Sequence, residues 1–149
     1  MKDFNAWNEL KIQLEEKSVP VNFHEREIWL AYCGLNLGYE QDGKHERFLR
    51  PVVIIKKFNR DTFWGLPLTH AAKEGPYFVC INFENSVSVV VLSQLKFMDQ
   101  KRLFRRIGSI SDDEFIMLRN CLISLLSFKI ESPRGEGILG VPQGDVVPP

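Results

Sequence analysis

Apolar residues near the start of the chain repeat at helical spacing. They recur every three or four positions, at Phe4, Trp7, Leu10 and Leu14. Asp3 stands directly before them and can accept hydrogen bonds from the free N–H groups of a first helical turn. The pattern predicts a helix over residues 4–17, within an N-terminal extension that spans residues 1–22.

Five short segments in the middle of the chain have the composition of β-strands. They are residues 27–33, 50–58, 62–69, 77–83 and 86–92. The second contains four consecutive β-branched residues, Val52 to Ile55, which disfavour a helix and suit a pleated sheet. Turn-forming residues follow at 59–61 and at 84–85. Strands joined by such short turns pair antiparallel, so the pattern predicts a small antiparallel barrel or sandwich.

A long polar segment separates the first two predicted strands. Residues 34–49 contain three glycines together with Gln41, Asp42, Lys44 and His45. Connections of this length in compact domains are usually functional or mobile. This segment is therefore the first place to look for a functional site.

A second helix is predicted near the end of the chain. Ser111 and Glu114 have the spacing of a capping box. The apolar stripe that follows consists of Phe115, Leu118, Leu122, Leu125 and Leu126. The helix should run from about 112 to 128 and close a barrel domain of residues 23–130. Residues 131–149 are rich in Gly and Pro without apolar periodicity, and we expect a disordered tail there.

Composition indicates one folded domain. The chain has 149 residues, of which 44% are hydrophobic and 26% charged. It has no apolar run of the ~20 residues that a membrane helix needs, and its start lacks a signal-peptide pattern. We expect a cytoplasmic protein without a membrane partner. Cys33, Cys80 and Cys121 form no Cys-x-x-Cys pair, which favours reduced, mostly buried thiols.

Charge is unevenly distributed along the chain although the net charge is zero. Residues 41–110 carry a formal charge of +6, and the segments on either side carry −3 each. A basic middle segment can form a phosphate-binding surface. Folding could equally spread these charges evenly over the surface, and the sequence leaves both interpretations open.

The motifs of several enzyme classes are missing from the sequence. His24, His45 and His70 lack metal-ligand spacing, and neither a phosphate-binding glycine loop nor a Gly-x-Ser-x-Gly elbow occurs. Strands follow one another without the crossover helices of a dinucleotide-binding fold. These patterns predict a site without metal or cofactor, built from loops on a small barrel.

Arg50 and Thr69 are the best candidates for that site. Each lies nine or ten positions from the turn near Asn59 and Arg60, so hairpin pairing would bring them to the same sheet end. A guanidinium and a hydroxyl facing one cleft can hold a phosphate and stabilise the charge that develops on it.

Five sequence blocks, in this order, resemble the MazF and PemK toxin family. They are residues 38–43, 50–54, 66–69, 91–103 and 107–108, and the resemblance spans about residues 25–126. It implies an SH3-like antiparallel barrel, here with an N-terminal and a C-terminal helix. It also implies a homodimeric endoribonuclease that cleaves single-stranded RNA sequence-selectively without metal and is restrained by a cognate antitoxin.

The resemblance also implies roles for individual residues. Arg50 and Thr69 match the catalytic pair, in which Arg50 would stabilise the phosphorane formed when a ribose 2′-hydroxyl attacks the adjacent phosphorus. The products would be a 2′,3′-cyclic phosphate and a 5′-hydroxyl. The expected RNA-binding residues are Glu40, Gln41, Lys44, His70 and Gln94. Glu40 and His70 are both candidates for the general base.

Two points stay open at the level of sequence. Tyr39 could stack on an unpaired base or pack on its own barrel. The same barrel also occurs in non-catalytic binding modules, including proteins that poison a DNA gyrase and proteins that bind nucleic acid, because fold does not fix function. On the enzyme hypothesis, Arg50→Ala should abolish most cleavage and leave thermal unfolding little changed.

Overall fold

A computed structural model describes residues 1–127, 129–131 and 137–139. Within these ranges, two α-helices and nine strands follow one another. They are α1 (Phe4–Glu15), β1 (Glu27–Tyr32), β2 (Leu49–Lys57), β3 (Thr62–Thr69), β4 (Phe78–Phe83), β5 (Ser86–Val91), β6 (Lys96–Asp99), β7 (Leu103–Ser109), α2 (Asp112–Leu126), β8 (Lys129–Glu131) and β9 (Gly137–Leu139). No helix within these ranges is long and apolar enough to cross a membrane.

The first seven strands form one curled antiparallel sheet. Its order is β4-β5-β3-β2-β1-β7, and β6 pairs with β3. The start of β3 pairs with β6, whereas its last two residues pair with β5, so the sheet bends along this strand. The predicted small antiparallel barrel with one helix at each end of the domain is confirmed.

Two apolar clusters fill the two sides of the central strand. Val53 and Ile55 of β2 join the cluster that packs under α2, whereas Val52 and Ile54 join a cluster around Phe63. Because β2 is covered on both faces, its residues need not alternate between apolar and polar types. This burial explains the run of β-branched residues in the sequence.

The helix caps and the β4–β5 turn form at the residues that the sequence predicts. The Asp3 carboxylate accepts from the Ala6 N–H at 3.0 Å, and Ser111 with Glu114 forms the capping box of α2. The β4–β5 turn consists of Glu84 and Asn85, whose φ angles are 50° and 58°. Two consecutive residues with positive φ match the twist of an antiparallel hairpin.

All five predicted strands and both helices are present, but β6 and β7 were not predicted. In β7, Arg105, Arg106 and Gly108 interrupt the apolar alternation, and two register shifts occur in its pairing with β1. It lies at the edge of the sheet, where exposed charged residues are common and the strand signal is weak. Pairing with β1, rather than local preference, makes this segment a strand.

The remaining expectations concern the three cysteines and the C-terminal tail. Cys33 is buried, but Cys80 is exposed and Cys121 is half-buried, so the expectation of mostly buried thiols was wrong. Phe128 and most of the predicted tail, residues 132–136 and 140–149, lie outside the described residues. The strands β8 and β9 pair with each other at the start of the predicted tail.

Candidate functional site

Arg50 is buried near the start of β2. Only 7% of its surface is exposed. It follows the long polar connection and pairs with Ala31 of β1. Alternation along β2 places Arg50 on the same face as Val52 and Ile54, which belong to the cluster around Phe63. The guanidinium therefore lies at the polar end of an apolar layer.

Two backbone carbonyls fix the Arg50 guanidinium. Nη1 donates to the Leu68 carbonyl at 3.1 Å, and Nε donates to the Asp42 carbonyl. Nη2 donates to no acceptor among residues 1–127, and no buried side-chain nitrogen or oxygen of that range lacks a partner. Nη2 is therefore the guanidinium nitrogen that has no protein partner within these residues and keeps some exposure to solvent.

Burial affects the ionisation of this region. It lowers the pKa of the Arg50 guanidinium from its ordinary value, against smaller opposing effects of Cys33 and Asp42. Burial also raises the pKa of the Cys33 thiol, which keeps that group neutral. Arginine still remains charged at neutral pH, because its ordinary pKa is above about 12. The site thus holds a cation that is only partly hydrated.

Thr69 ends β3 at the same end of the sheet as Arg50. The β2–β3 ladder ends with the pair Val52 and Pro67, so Arg50 and Thr69 each lie two residues beyond its last pair, at the same end. The direct hydrogen bond from Arg50 to Leu68 agrees with this placement. Thr69 is half-buried, and its hydroxyl accepts from the Ala71 N–H at 3.2 Å.

The cavity beside Thr69 is not lined by Arg50. Its volume is about 240 Å³, and Pro51, Leu68, Thr69, His70, Ser88 and Arg105 are among the residues that line it. His70 is exposed at the rim. Arg50 and Thr69 thus lie at the same strand end, but this cavity meets Thr69 alone of the two.

Two residues that are predicted to bind RNA, Gln94 and Glu40, make hydrogen bonds to the backbone of the long loop. Gln94 accepts from the Gln41 N–H at 2.7 Å and donates to the Tyr39 carbonyl at 3.1 Å. Both ends of its amide are occupied, so Gln94 fixes loop backbone in this structure. The Glu40 carboxylate accepts from the Leu37 N–H at 2.9 Å and is otherwise exposed.

Other loop residues face solvent. Tyr39 is fully exposed, so of the two alternatives left open by the sequence it does not pack on the barrel, and its ring is accessible to solvent. Lys44 is exposed and, with His45, Glu46 and Arg47, lines an open hollow of about 380 Å³. These side chains form the exposed tip of the loop.

Sequence reasoning missed two contributors to this region. Arg105 lines the Thr69 cavity from β7, a strand that the sequence did not predict. Asp42 lies in one of the family-like blocks, but nothing in the sequence indicated that its carbonyl would hold Arg50. Both placements depend on contacts between residues distant in sequence.

Within residues 1–127, no group of three His, Cys, Asp or Glu side chains is arranged to hold a metal ion. The polar groups here are the Thr69 hydroxyl, the His70 imidazole and the Arg105 guanidinium around the cavity, with the Arg50 guanidinium at the same strand end outside it. Such a set is suited to binding an anion and stabilising charge on it.

Comparison with solved structures identifies the fold. A MazF from Deinococcus radiodurans superposes with a TM-score of 0.54 at 20% identity, over 73% of this chain and 98% of that one. An endoribonuclease from a mycobacterial species gives 0.55 at 12% identity, over 73% and 95%. The Mycobacterium tuberculosis toxin MazF-mt6 gives 0.52 at 18% identity, over 68% and 96%.

Sequence comparison identifies the family. No curated protein matches the chain in sequence. The model of the PemK-like, MazF-like toxins of type II toxin-antitoxin systems matches residues 25–126, which contain all seven strands of the barrel sheet and α2. The chain therefore belongs to the PemK-like, MazF-like family of toxins of type II toxin-antitoxin systems.

Proposed function

We propose that this toxin is an endoribonuclease that cleaves single-stranded RNA at selected sequences without a metal ion. The observation that carries the proposal is the buried Arg50 guanidinium, fixed by two carbonyls beside Thr69. Donors held in place before the reaction stabilise developing charge most effectively, because they need no reorganisation.

The proposed reaction is transesterification within the RNA chain. The ribose 2′-oxygen attacks the adjacent phosphorus, its proton passes to a base, and the 5′-oxygen of the next nucleotide leaves with a proton. A 2′,3′-cyclic phosphate and a 5′-hydroxyl result. Arg50 stabilises the negative phosphorane, Thr69 binds a non-bridging oxygen, and Glu40 and His70 remain the candidate bases.

The exposed loop tip supplies the proposed RNA contacts. Tyr39 offers an accessible ring for base stacking, and Lys44 with Arg47 offers positive charge to the phosphates. Gln41 and Gln94 contribute by fixing the loop on which these residues lie. His70 at the rim of the Thr69 cavity can contact the same strand.

The proposed partners are a second copy of the chain and a cognate antitoxin. A mycobacterial endoribonuclease with this fold was solved in complex with its cognate antitoxin. In this chain Phe58, Trp64 and Phe97 form an exposed aromatic cluster with ring separations of 5.1 and 6.2 Å. Exposed apolar patches of this kind are typical of interaction surfaces. Light scattering of the purified toxin will give its oligomeric state.

The test of the proposed function is Arg50→Lys, which keeps the positive charge but loses the planar fork. Arg50→Ala is less informative than the sequence suggested. It would leave two carbonyls without donors in a buried site and thereby lower stability. We expect Arg50→Lys to cleave an end-labelled, mixed-sequence single-stranded RNA about 100- to 1,000-fold more slowly than wild type.

The matched control is Arg60→Lys, at the exposed turn joining the far ends of β2 and β3. It should retain wild-type cleavage, and wild-type activity should persist in excess EDTA. Equal rates for Arg50→Lys and wild type would contradict the assignment of Arg50. Binding of RNA without any cleavage would favour a binding module, and loss of activity in EDTA would contradict metal independence.

A further inference from the structure

The N-terminal helix α1 packs against the loop of residues 34–48, hereafter the Arg50 loop, whose Asp42 carbonyl holds Arg50. The family match begins at residue 25 and does not include α1. The first contact is made by Trp7, which is 6% exposed. Its ring covers Gly34 so closely that a Cβ there would lie 2.1 Å from Trp7 Cε2. Only glycine therefore fits at the start of the Arg50 loop.

Trp7 also contacts the other end of the Arg50 loop. Its ring meets the Phe48 ring edge to face, with centroids 5.7 Å apart. The Phe48 carbonyl accepts from the N–H groups of Cys33 and Gly34 at 3.0 and 3.2 Å. One helix side chain thus covers the point where the loop begins and ends.

Lys2 contacts the middle of the loop. Its Nζ lies 2.7 Å from Asp42 Oδ2 and donates to the Asn36 carbonyl at 2.6 Å. The other carboxylate oxygen of Asp42 accepts from the Asn36 N–H at 2.6 Å. The Lys2 ammonium therefore joins the two sides of the loop at the residue whose carbonyl accepts from Arg50 Nε.

We propose that the N-terminal segment formed by Lys2 and α1 positions Arg50, with Lys2 and Trp7 as positioning residues that act through the Arg50 loop. This inference rests on the proposed endoribonuclease function. Lys2 and Trp7 restrict the loop, the restricted Asp42 carbonyl fixes Nε, and the fixed guanidinium presents Nη2 to the phosphorane. A misplacement of about 1 Å in such a group can cost about 100-fold in rate.

The effect on rate should exceed the effect on stability. An ion pair with half-exposed partners contributes little to the free energy of unfolding. The same pair determines where the Asp42 carbonyl lies, and this carbonyl orients the Arg50 guanidinium. The orientation of such a group affects the free energy of the transition state more than it affects substrate binding. Loss of Lys2 should therefore lower kcat and leave KM nearly unchanged.

The experiment compares Lys2→Met, Lys2→Arg and Lys17→Met in the full chain. Lys17 lies just after α1 and donates to the Leu103 carbonyl at 3.1 Å, so its loss loosens the far end of the helix without touching the Arg50 loop. Each protein is assayed for kcat and KM on single-stranded RNA. Amide hydrogen exchange is measured at Asn36, Gln41 and Gly43, whose N–H groups are bonded within or to the loop.

We expect Lys2→Met to lower kcat by about 10- to 100-fold and to change KM by less than about twofold. The backbone amide hydrogens of Asn36 and Gly43 should exchange faster in this variant than in wild type. Lys2→Arg should restore both kcat and protection, and Lys17→Met should resemble wild type. Unchanged loop exchange in Lys2→Met overturns the positioning role, whatever the activity of the wild type. Equal loss of kcat in Lys17→Met overturns it also. A wild-type protein that cleaves no RNA overturns the proposed function instead.

Discussion

Arg50 differs from an arginine on the protein surface in two properties. It is buried and hydrogen-bonded to two carbonyls, which makes it part of the structure. One nitrogen remains available to a ligand, which suits it to stabilise charge. A buried, fixed cation interacts more strongly with a phosphorane than a mobile, hydrated one does.

At the residue scale, the Thr69 hydroxyl gives the next prediction. Thr69→Val keeps the side-chain shape but removes the group proposed to bind a phosphate oxygen. We expect RNA cleavage to fall by about 10- to 100-fold, the range for loss of one hydrogen bond to a charged group. Rates measured on end-labelled RNA will check this.

Thr69→Ser and Thr62→Val are the matched controls for this prediction. Thr69→Ser keeps the hydroxyl and should stay within a few-fold of wild type. Thr62 lies at the opposite end of β3, where its hydroxyl donates to Asn59, and Thr62→Val should leave cleavage intact. If all three variants cleave equally, Thr69 has no role in the reaction.

At the scale of elements, the contact between Lys2, which lies just before α1, and the Arg50 loop depends on one carboxylate, that of Asp42. Burial alone would raise the pKa of Asp42. Hydrogen bonds from Lys2 and Asn36, with the charges of Lys2 and Arg50, outweigh that effect and lower the pKa below its ordinary value. The ionised form of Asp42 is therefore favoured by folding.

The lowered pKa of Asp42 predicts a pH-dependent contribution to stability. A carboxylate whose pKa falls on folding stabilises the protein above its unfolded pKa, about 4, and this contribution is lost as the pH falls through the folded pKa. At pH 7, Asp42→Asn should melt about 2 to 4 °C below wild type. The difference should shrink as the pH falls below about 4.

Thermal melts of wild type, Asp42→Asn and Glu74→Gln between pH 3 and 7 will measure this contribution. Glu74 is an exposed carboxylate in the connection after β3, and its substitution should have little effect at any pH. A difference between Asp42→Asn and wild type that is constant with pH would mean that the carboxylate charge is not responsible.

Also at this scale, an element can be predicted from the sequence when the residues that specify it lie within one short segment. α2 was predictable because its cap and its apolar stripe lie within one short segment. β2 was predictable because four β-branched residues stand together. β7 was not, because its partner β1 lies some seventy residues earlier and its own residues include two adjacent arginines.

At the scale of the whole molecule, the uneven charge of the sequence is partly cancelled by folding. Acidic residues of the first forty pair with basic residues of the middle segment, in the pairs Glu15–Lys101, Glu25–Lys56 and Glu27–Arg106. Lys44, Arg47 and Arg105 form no ion pair with residues 1–127 and lie at the Arg50 loop or the Thr69 cavity. The basic surface is thus smaller than the sequence suggested, and part of it lies near the site.

This remaining basic surface predicts salt-dependent RNA binding. With a 2′-O-methylated RNA that cannot be cleaved, the logarithm of the binding constant should fall with the logarithm of salt concentration, with a slope of about −2. That slope corresponds to about three phosphate contacts on a single strand. Substitution of Arg47 by Gln should make this slope shallower by the amount that corresponds to about one phosphate contact. A binding constant that does not change with salt concentration would show that RNA does not bind through this surface.

The sequence by itself determined the elements with local signals, the family-like blocks, and the placement of Arg50 and Thr69 at the same end of one hairpin. These follow from periodicity, capping and turn chemistry, which act over a few residues. Only the tertiary structure decided that Arg50 is buried, that Gln94 holds the loop, and that Lys2 lies against Asp42. Those contacts join residues forty or more positions apart or depend on how side chains share one interior, and no local pattern encodes them.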